Sequence, residues 1–206
     1  MRALVFLEHH AGELEKGSLG VLSKAASLGE AAGVVLGSGA GEVAPRAGAF
    51  GATKVYACED EALAAPLPQP RVDALAALVE QTGADTVLFA ASVLASDVAA
   101  GLAARLDAGL NWDLTDLVLS DGELVGKRPA LGDTVVVDVG WTTSPRLALV
   151  RAGAFDPAES GGSAEVEQFE VAFSDFSTLA TLVEQTREES SGPSIEEAEI
   201  DRKSVV

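Results

Sequence analysis

The sequence predicts an α/β fold: a parallel sheet with helices on both faces, extended by antiparallel strands. Three observations carry that prediction. Thr86-Val87-Leu88-Phe89-Ala90 is a short apolar run of the kind buried on both faces of a parallel sheet, and it leads into a helical pattern. Three further runs of this type alternate with helical patterns upstream. Downstream, strand-like runs follow one another without helices between them. With 48% hydrophobic but only 5% aromatic residues, the core must be built from Ala, Val and Leu, which suits helices packed on a sheet.

Residues 2–7 read as the first strand and 8–13, Glu-His-His-Ala-Gly-Glu, as the loop after it. Ser18 is a plausible cap for a helix that turns Leu19, Leu22, Ala25, Ala26 and Leu28 inward, broken by residues 29–33. The second strand, 33–36, meets a glycine-rich turn over Gly37-Ser38-Gly39-Ala40-Gly41, and a short helix over 44–50 ends at Gly51. The third strand is 54–58. A loop rich in Pro and acids, 59–70, precedes a helix over 71–81 with Val72, Leu75, Leu78 and Val79 on one face. After the fourth strand, Ser96-Asp97 supply cap chemistry, Val98, Leu102 and Leu106 recur at four-residue spacing, and Gly109 is the expected stop. The polar segment 111–116 leads into a hairpin over 117–128 with an Asp121-Gly122 turn, and 134–139 and 147–151 are two further strands. Beyond Phe155 lie a Gly/Ser/Pro loop (156–164), an alternating strand-like stretch (165–173), a marginally helical stretch (178–185), a polar linker (188–194) and an element begun at 195–200. No repeat of solenoid length is present.

Composition excludes several classes. The net charge of −18 argues against a nucleic-acid partner, because phosphate contacts need clustered Lys and Arg. Residues 156–201 hold thirteen acids against the single base Arg187, as in a solvated segment. No apolar run is long enough for membrane insertion, and the first residues turn acidic too early for a signal peptide. One cysteine, Cys58, allows no internal disulfide. A cytoplasmic protein is expected.

No catalytic, cofactor-binding or metal-ligating set assembles from the residues alone. His9-His10 lack a carboxylate or Cys/His partner at helical spacing and read as a loop or strand end rather than a metal site. The Gly37 to Gly41 turn could cradle a phosphate, but its G-x-G-x-G spacing is not the dinucleotide fingerprint and no P-loop lysine follows. Cys58 reads as a small buried residue. Ser92 in A-A-S-V-L lacks the glycines of a nucleophile elbow and reads as a polar helix lead-in. Trp112 and Trp141 read as core or interface anchors.

Three stretches together resemble the amino-terminal domain of the electron-transfer flavoprotein alpha subunit. They are Val5-Phe6-Leu7-Glu8-His9 with Gly12-Glu13-Leu14; Arg105-Leu106 with the 107–116 passage, similar to a family pattern L-D-x-G-x-x-x-D-L/V-T; and Arg128-Pro129-Ala130-Leu131-Gly132 leading through 134–137 to Pro145-Arg146-Leu147 and Ala154-Phe155. The Gly161-Gly162-Ser163-Ala164 linker also fits, and the likeness runs to about Ile200. Two positions depart from the pattern, Leu131 for the usual aromatic and Asp133 for the usual glycine. After Ile200 the family's V-V-x-G-G-R-G strand and turn is replaced by Asp201 to Val206, which reads as a chain cut short.

The resemblance implies a Rossmann-like, adenine nucleotide alpha hydrolase-like domain over 1–155, an acidic extension and linker over 156–194, and an aborted start of the FAD-binding domain over 195–206. It implies a scaffold and subunit interface for an electron carrier rather than an enzyme. The partners would be an electron-transfer flavoprotein beta subunit, dehydrogenases such as those acting on acyl-CoA, and a quinone reductase or respiratory chain. FAD would be bound by the domain absent here, with none expected on this chain. The surface around 111–114 and Trp141 is the expected partner contact. The alternative is a stand-alone adenine-nucleotide-binding module using the Gly37 to Gly41 turn.

Overall fold

The computed structural model describes residues 1–186. The expected linker at 188–194 and the 195–206 element lie outside the described residues. In chain order the elements are β1 (Arg2–Phe6), the miniature hairpin of β2 (His9–His10) and β3 (Glu13–Leu14), α1 (Lys16–Leu28), β4 (Glu30–Leu36), the single turn α2 (Ala40–Val43), a 3-10 helix at Ala44–Phe50 and β5 (Lys54–Cys58). Then come α3 (Pro68–Thr82), β6 (Thr86–Ala90), α4 (Val93–Leu106), β7 (Leu110–Leu114), β8 (Asp116–Ser120), β9 (Glu123–Ala130), β10 (Val135–Val139), β11 (Arg146–Val150) and β12 (Glu165–Gln168).

Seven strands form one sheet in the order β12-β5-β4-β1-β6-β11-β7, and every neighbouring pair is parallel. The period of two along each strand sends successive residues to opposite faces. Val5, Leu7, Val35, Val55 and Leu88 therefore pack beneath α1, while Leu4, Phe6, Val34, Val87 and Phe89 pack beneath α3 and α4. Both faces are buried, which is why these strands read as unbroken apolar runs rather than as alternation.

The antiparallel extension is arranged differently from the expectation. Of the strands after the fourth, β7, β11 and β12 join the parallel sheet, and only β8, β9 and β10 are antiparallel, as a separate three-stranded sheet. This meander stands where a crossover helix would connect β7 to β11. Its Leu117 and Leu124 bury themselves beside Leu114 of β7, which supplies the cover that a helix would otherwise give. Of the polar segment 111–116, residues 111–114 belong to the edge strand β7, which exposes one side and so tolerates Asn111 and Asp113.

Helix boundaries also shift. Ser92, not Ser96-Asp97, caps α4: its Oγ accepts the Ala95 N–H at 2.9 Å. The helix stops at Asp107 in the left-handed region (φ 49°), two residues before Gly109. Ser18 sits inside α1, where its Oγ accepts the Glu8 N–H rather than capping the helix. Among the described residues the helical structure near 178–185 is a 3-10 turn at Asp175–Thr178; Leu179, Leu182 and Val183 stay exposed, so no packed face holds a longer helix there.

After β11 the chain straps back across the α1 face to reach the far edge of the sheet. Gly20 permits this: a Cβ there would lie 2.1 Å from the Phe155 carbonyl oxygen. Ala158 N–H donates to Ser23 Oγ and Ser160 N–H to the Ala49 carbonyl. The strap delivers β12 to β5, pairing Glu165 with Lys54. Phe169, Val171 and Phe173 then cover the opposite layer, and Ser174 is held by Asp73 of α3, its N–H at 2.8 Å and its Oγ at 3.0 Å from Asp73 Oδ2.

Candidate functional site

The chain steps outward from β1 to β4 and β5, then returns to the other side of β1 for β6. The crevice at the carboxyl ends of such strands, where the order reverses, is where open α/β sheets bind ligands. A cavity of about 370 Å³ lies there, lined among others by Glu8, His9, Gly37, Leu63, Arg71 and Leu94. Glu8 follows β1 directly, and Ser92 Oγ, at the start of α4, donates to its Oε1 at 2.5 Å. Burial pushes the Glu8 carboxyl above the usual range, against the pull of the Ser92 bond. Arg71 of α3 donates through Nη1 to the Ala65 and Leu67 carbonyls and through Nη2 to that of Leu63. Burial lowers its pKa.

Of the residues singled out in the sequence, His9, Ser92 and the glycine turn meet around this crevice. His9 Nε2 lies 3.3 Å from the Leu36 carbonyl, and burial lowers its pKa, which keeps the ring neutral near pH 7. Among the described residues no group of three or more His, Cys, Asp or Glu side chains is placed to hold a metal ion. Gly37 has φ 113°, and a Cβ there would also crowd the Leu63 carbonyl and Arg71. One donor of the turn is already taken, since Glu59 Oε1 accepts the Gly41 N–H at 2.6 Å. Cys58 is buried, and burial raises its thiol pKa, so it is no thiolate nucleophile.

A flavin dinucleotide needs free N–H groups and basic side chains for its diphosphate. Here the Gly41 N–H of the turn is spent on Glu59, Arg71 is spent on carbonyls, and Glu8 faces the cavity. The residues of this crevice do not fit that group. Glu8 and Arg71 were not among the sequence candidates. An acid placed just after a switch-point strand was the available signal for Glu8; Arg71 looked like an ordinary first-turn residue.

A second surface lies on the antiparallel sheet. Val137 pairs with Arg128 and Val135 with Ala130, on the same face as Val139 and Gly126, which cover Leu114. This apolar face runs on past the core, where Val135 and Val137 on it are exposed, as are Leu131 in the turn and, on the opposite face, Val136. Trp112 is 55% exposed, with the Arg128 guanidinium stacked 4.5 Å above its ring. Arg128 donates to no acceptor among the described residues, and its Nε is buried without a partner. Trp141 behaves otherwise: it packs on the core and donates through Nε1 to the Leu147 carbonyl at 2.8 Å. The turn after β9 keeps Leu131, Gly132 and Asp133 at positive φ. Asp tolerates this region better than most residues, and Asp133 there approaches Arg151, which also forms a two-point pair with Asp113.

With this geometry in hand, comparison with known proteins gives a consistent answer. The profile of the electron transfer flavoprotein domain matches residues 3–174. The electron transfer flavoprotein subunit alpha of Mycobacterium leprae is 36% identical over 172 residues, covering 82% of this chain and 53% of that protein. The subunit of the same name from Syntrophomonas wolfei is 28% identical over 197 residues, 95% of this chain and 62% of that protein. Protein FixB of Rhizobium meliloti is 31% identical over 159 residues, 71% of this chain and 45% of that protein. The chain thus spans roughly half the length of the curated relatives it matches.

Proposed function

Because the chain belongs to the electron transfer flavoprotein family, we propose that it is the scaffold and subunit-interface part of an alpha subunit in a flavin-dependent electron carrier. Residues 1–155 form the scaffold, and the strap beyond them ties its two faces together. FAD is held by parts of the relatives' length that this chain does not span, in line with the poor fit of the crevice to a diphosphate. The complex takes electrons from dehydrogenases, such as those acting on acyl-CoA, and hands them to a quinone reductase in the cytoplasm.

The observation that carries this reading is the exposed face of β9 and β10 with Trp112 and Arg128. A stacked Trp–Arg pair beside exposed valines, with guanidinium donors unspent, has the chemistry of an interface anchor. A beta subunit docked here would cover the valines and offer an acceptor to Arg128. Trp141, whose Nε1 already donates to the Leu147 carbonyl, offers a partner less than Trp112 does. The nucleotide-module alternative is disfavoured by the Glu59 carboxylate on the Gly41 N–H.

The test is calorimetric titration of the chain with the beta subunit from the same source. Trp112→Ala is expected to weaken association by about 2 kcal/mol, roughly 30-fold, while leaving thermal stability unchanged. Unchanged affinity for both Trp112→Ala and Val137→Asp would remove the interface from this face.

A further inference from the structure

We propose that the crevice over the carboxyl ends of β1 and β4 is a binding site for a small organic cation, an ammonium or guanidinium group on a short apolar stem, with Glu8 as its counter-ion. The electron-carrier reading neither requires this site nor uses it.

The cavity volume of about 370 Å³ falls at the small-ligand end of known sites, which run from about 300 to 1,000 Å³. Its floor is a carboxylate held in one orientation. Ser92 Oγ occupies Glu8 Oε1, and Ser92 cannot swing away because the same oxygen accepts the Ala95 N–H at the start of α4. Among the described residues no donor reaches Glu8 Oε2. A carboxylate with one oxygen locked and one open is preorganised for a single charge-assisted hydrogen bond from a ligand.

Arg71 shares the cavity with Glu8 and acts on it through its charge, but donates no hydrogen bond to it. Arg71 is pinned by the carbonyls of Leu63, Ala65 and Leu67, so its guanidinium is a fixed wall and does not turn onto Glu8. His9, next to it, is tied to the Leu36 carbonyl. Leu63, Pro66 and Leu94 give the cavity an apolar side for a ligand's stem. A phosphate-bearing ligand meets the opposite conditions: Glu8 repels it, and the helix-turn N–H that would receive it is closed by Glu59.

The experiment is nitrogen-15 NMR titration of the 206-residue chain with n-butylammonium, with agmatine and, separately, with AMP. The two cations are expected to shift the amides of Glu8, Gly37 and Leu94 with saturation near about 1 mM, a reasonable affinity for so few heavy atoms. Glu8→Gln keeps the Ser92 bond but loses the charge, and should weaken the cations about ten-fold or more. Ala64→Trp, at the exposed rim, should block the cavity while leaving the folded spectrum intact. The proposal is overturned if neither cation shifts these amides at about 50 mM, if Glu8→Gln binds them as well as the parent, or if AMP rather than the cations saturates the same amides.

Discussion

Asp73 of α3 holds the returning strap, and its removal should be felt at a distance from its own helix. The side chain is only 4% exposed, with Arg105 Nη1 2.8 Å from Oδ1. Its other oxygen accepts both the Ser174 N–H and Ser174 Oγ, which in turn meets Ser177 Oγ at 2.8 Å. Asp73→Ala removes the acceptor of the Ser174 N–H and hydroxyl, but Ser174 is exposed and water takes up part of the loss, so each bond is worth about 0.5–1.5 kcal/mol. Arg105 is 41% exposed and rehydrates, so its share is small. The expected loss is about 1–2 kcal/mol, read in urea unfolding followed by far-UV circular dichroism. Hydrogen exchange at Ser174 should accelerate by at least the same free energy, because the strap is free to lift before α3 unfolds.

The same site has a defined pH dependence. Burial works to raise the Asp73 carboxyl, but the bonds from Ser177 and Ser174 and the Arg105 charge outweigh it, so its pKa lies below the usual value. A depressed carboxylate stabilises the fold above its unfolded pKa of about 3.9, and that contribution is lost as pH falls through the lower folded value. The gap between parent and Asp73→Ala should thus be constant near neutrality and shrink below about pH 4. A gap under about 0.5 kcal/mol at pH 7, with unchanged exchange at Ser174, would refute the reasoning.

Three other outcomes follow from the geometry. Gly20→Ala must displace the backbone at Phe155, since its Cβ would lie 2.1 Å from that carbonyl oxygen; urea unfolding should show a loss of about 2–3 kcal/mol. The Glu8 carboxyl, raised by burial, favours the fold fully when protonated and loses that contribution as pH rises through its folded pKa. Glu8→Gln should then raise the melting temperature at pH 8 more than at pH 4, and equal shifts would contradict the assignment. The 206-residue chain should purify without absorbance at visible flavin wavelengths; stoichiometric FAD on it would move the cofactor site into this part of the protein.

The sequence by itself determined the strands buried on both faces, the Asp121-Gly122 hairpin turn, the left-handed helix stop at Gly51 and the family. These are local or collinear properties: a strand covered on both sides needs an unbroken apolar run, and a turn needs its residue of positive φ. Only the tertiary structure decided which strands are neighbours. β11 and β7 carry no mark that sends them into the parallel sheet while β8 to β10 form their own, because that choice rests on Leu114, Leu117 and Leu124 meeting across different elements. It also separated the two tryptophans, leaving Trp112 under Arg128 at the surface and tying Trp141 to the core. It brought Glu8 to Ser92 across 84 positions of chain. No periodicity reports such a pair, since it exists only where the carboxyl ends of β1 and β6 lie side by side.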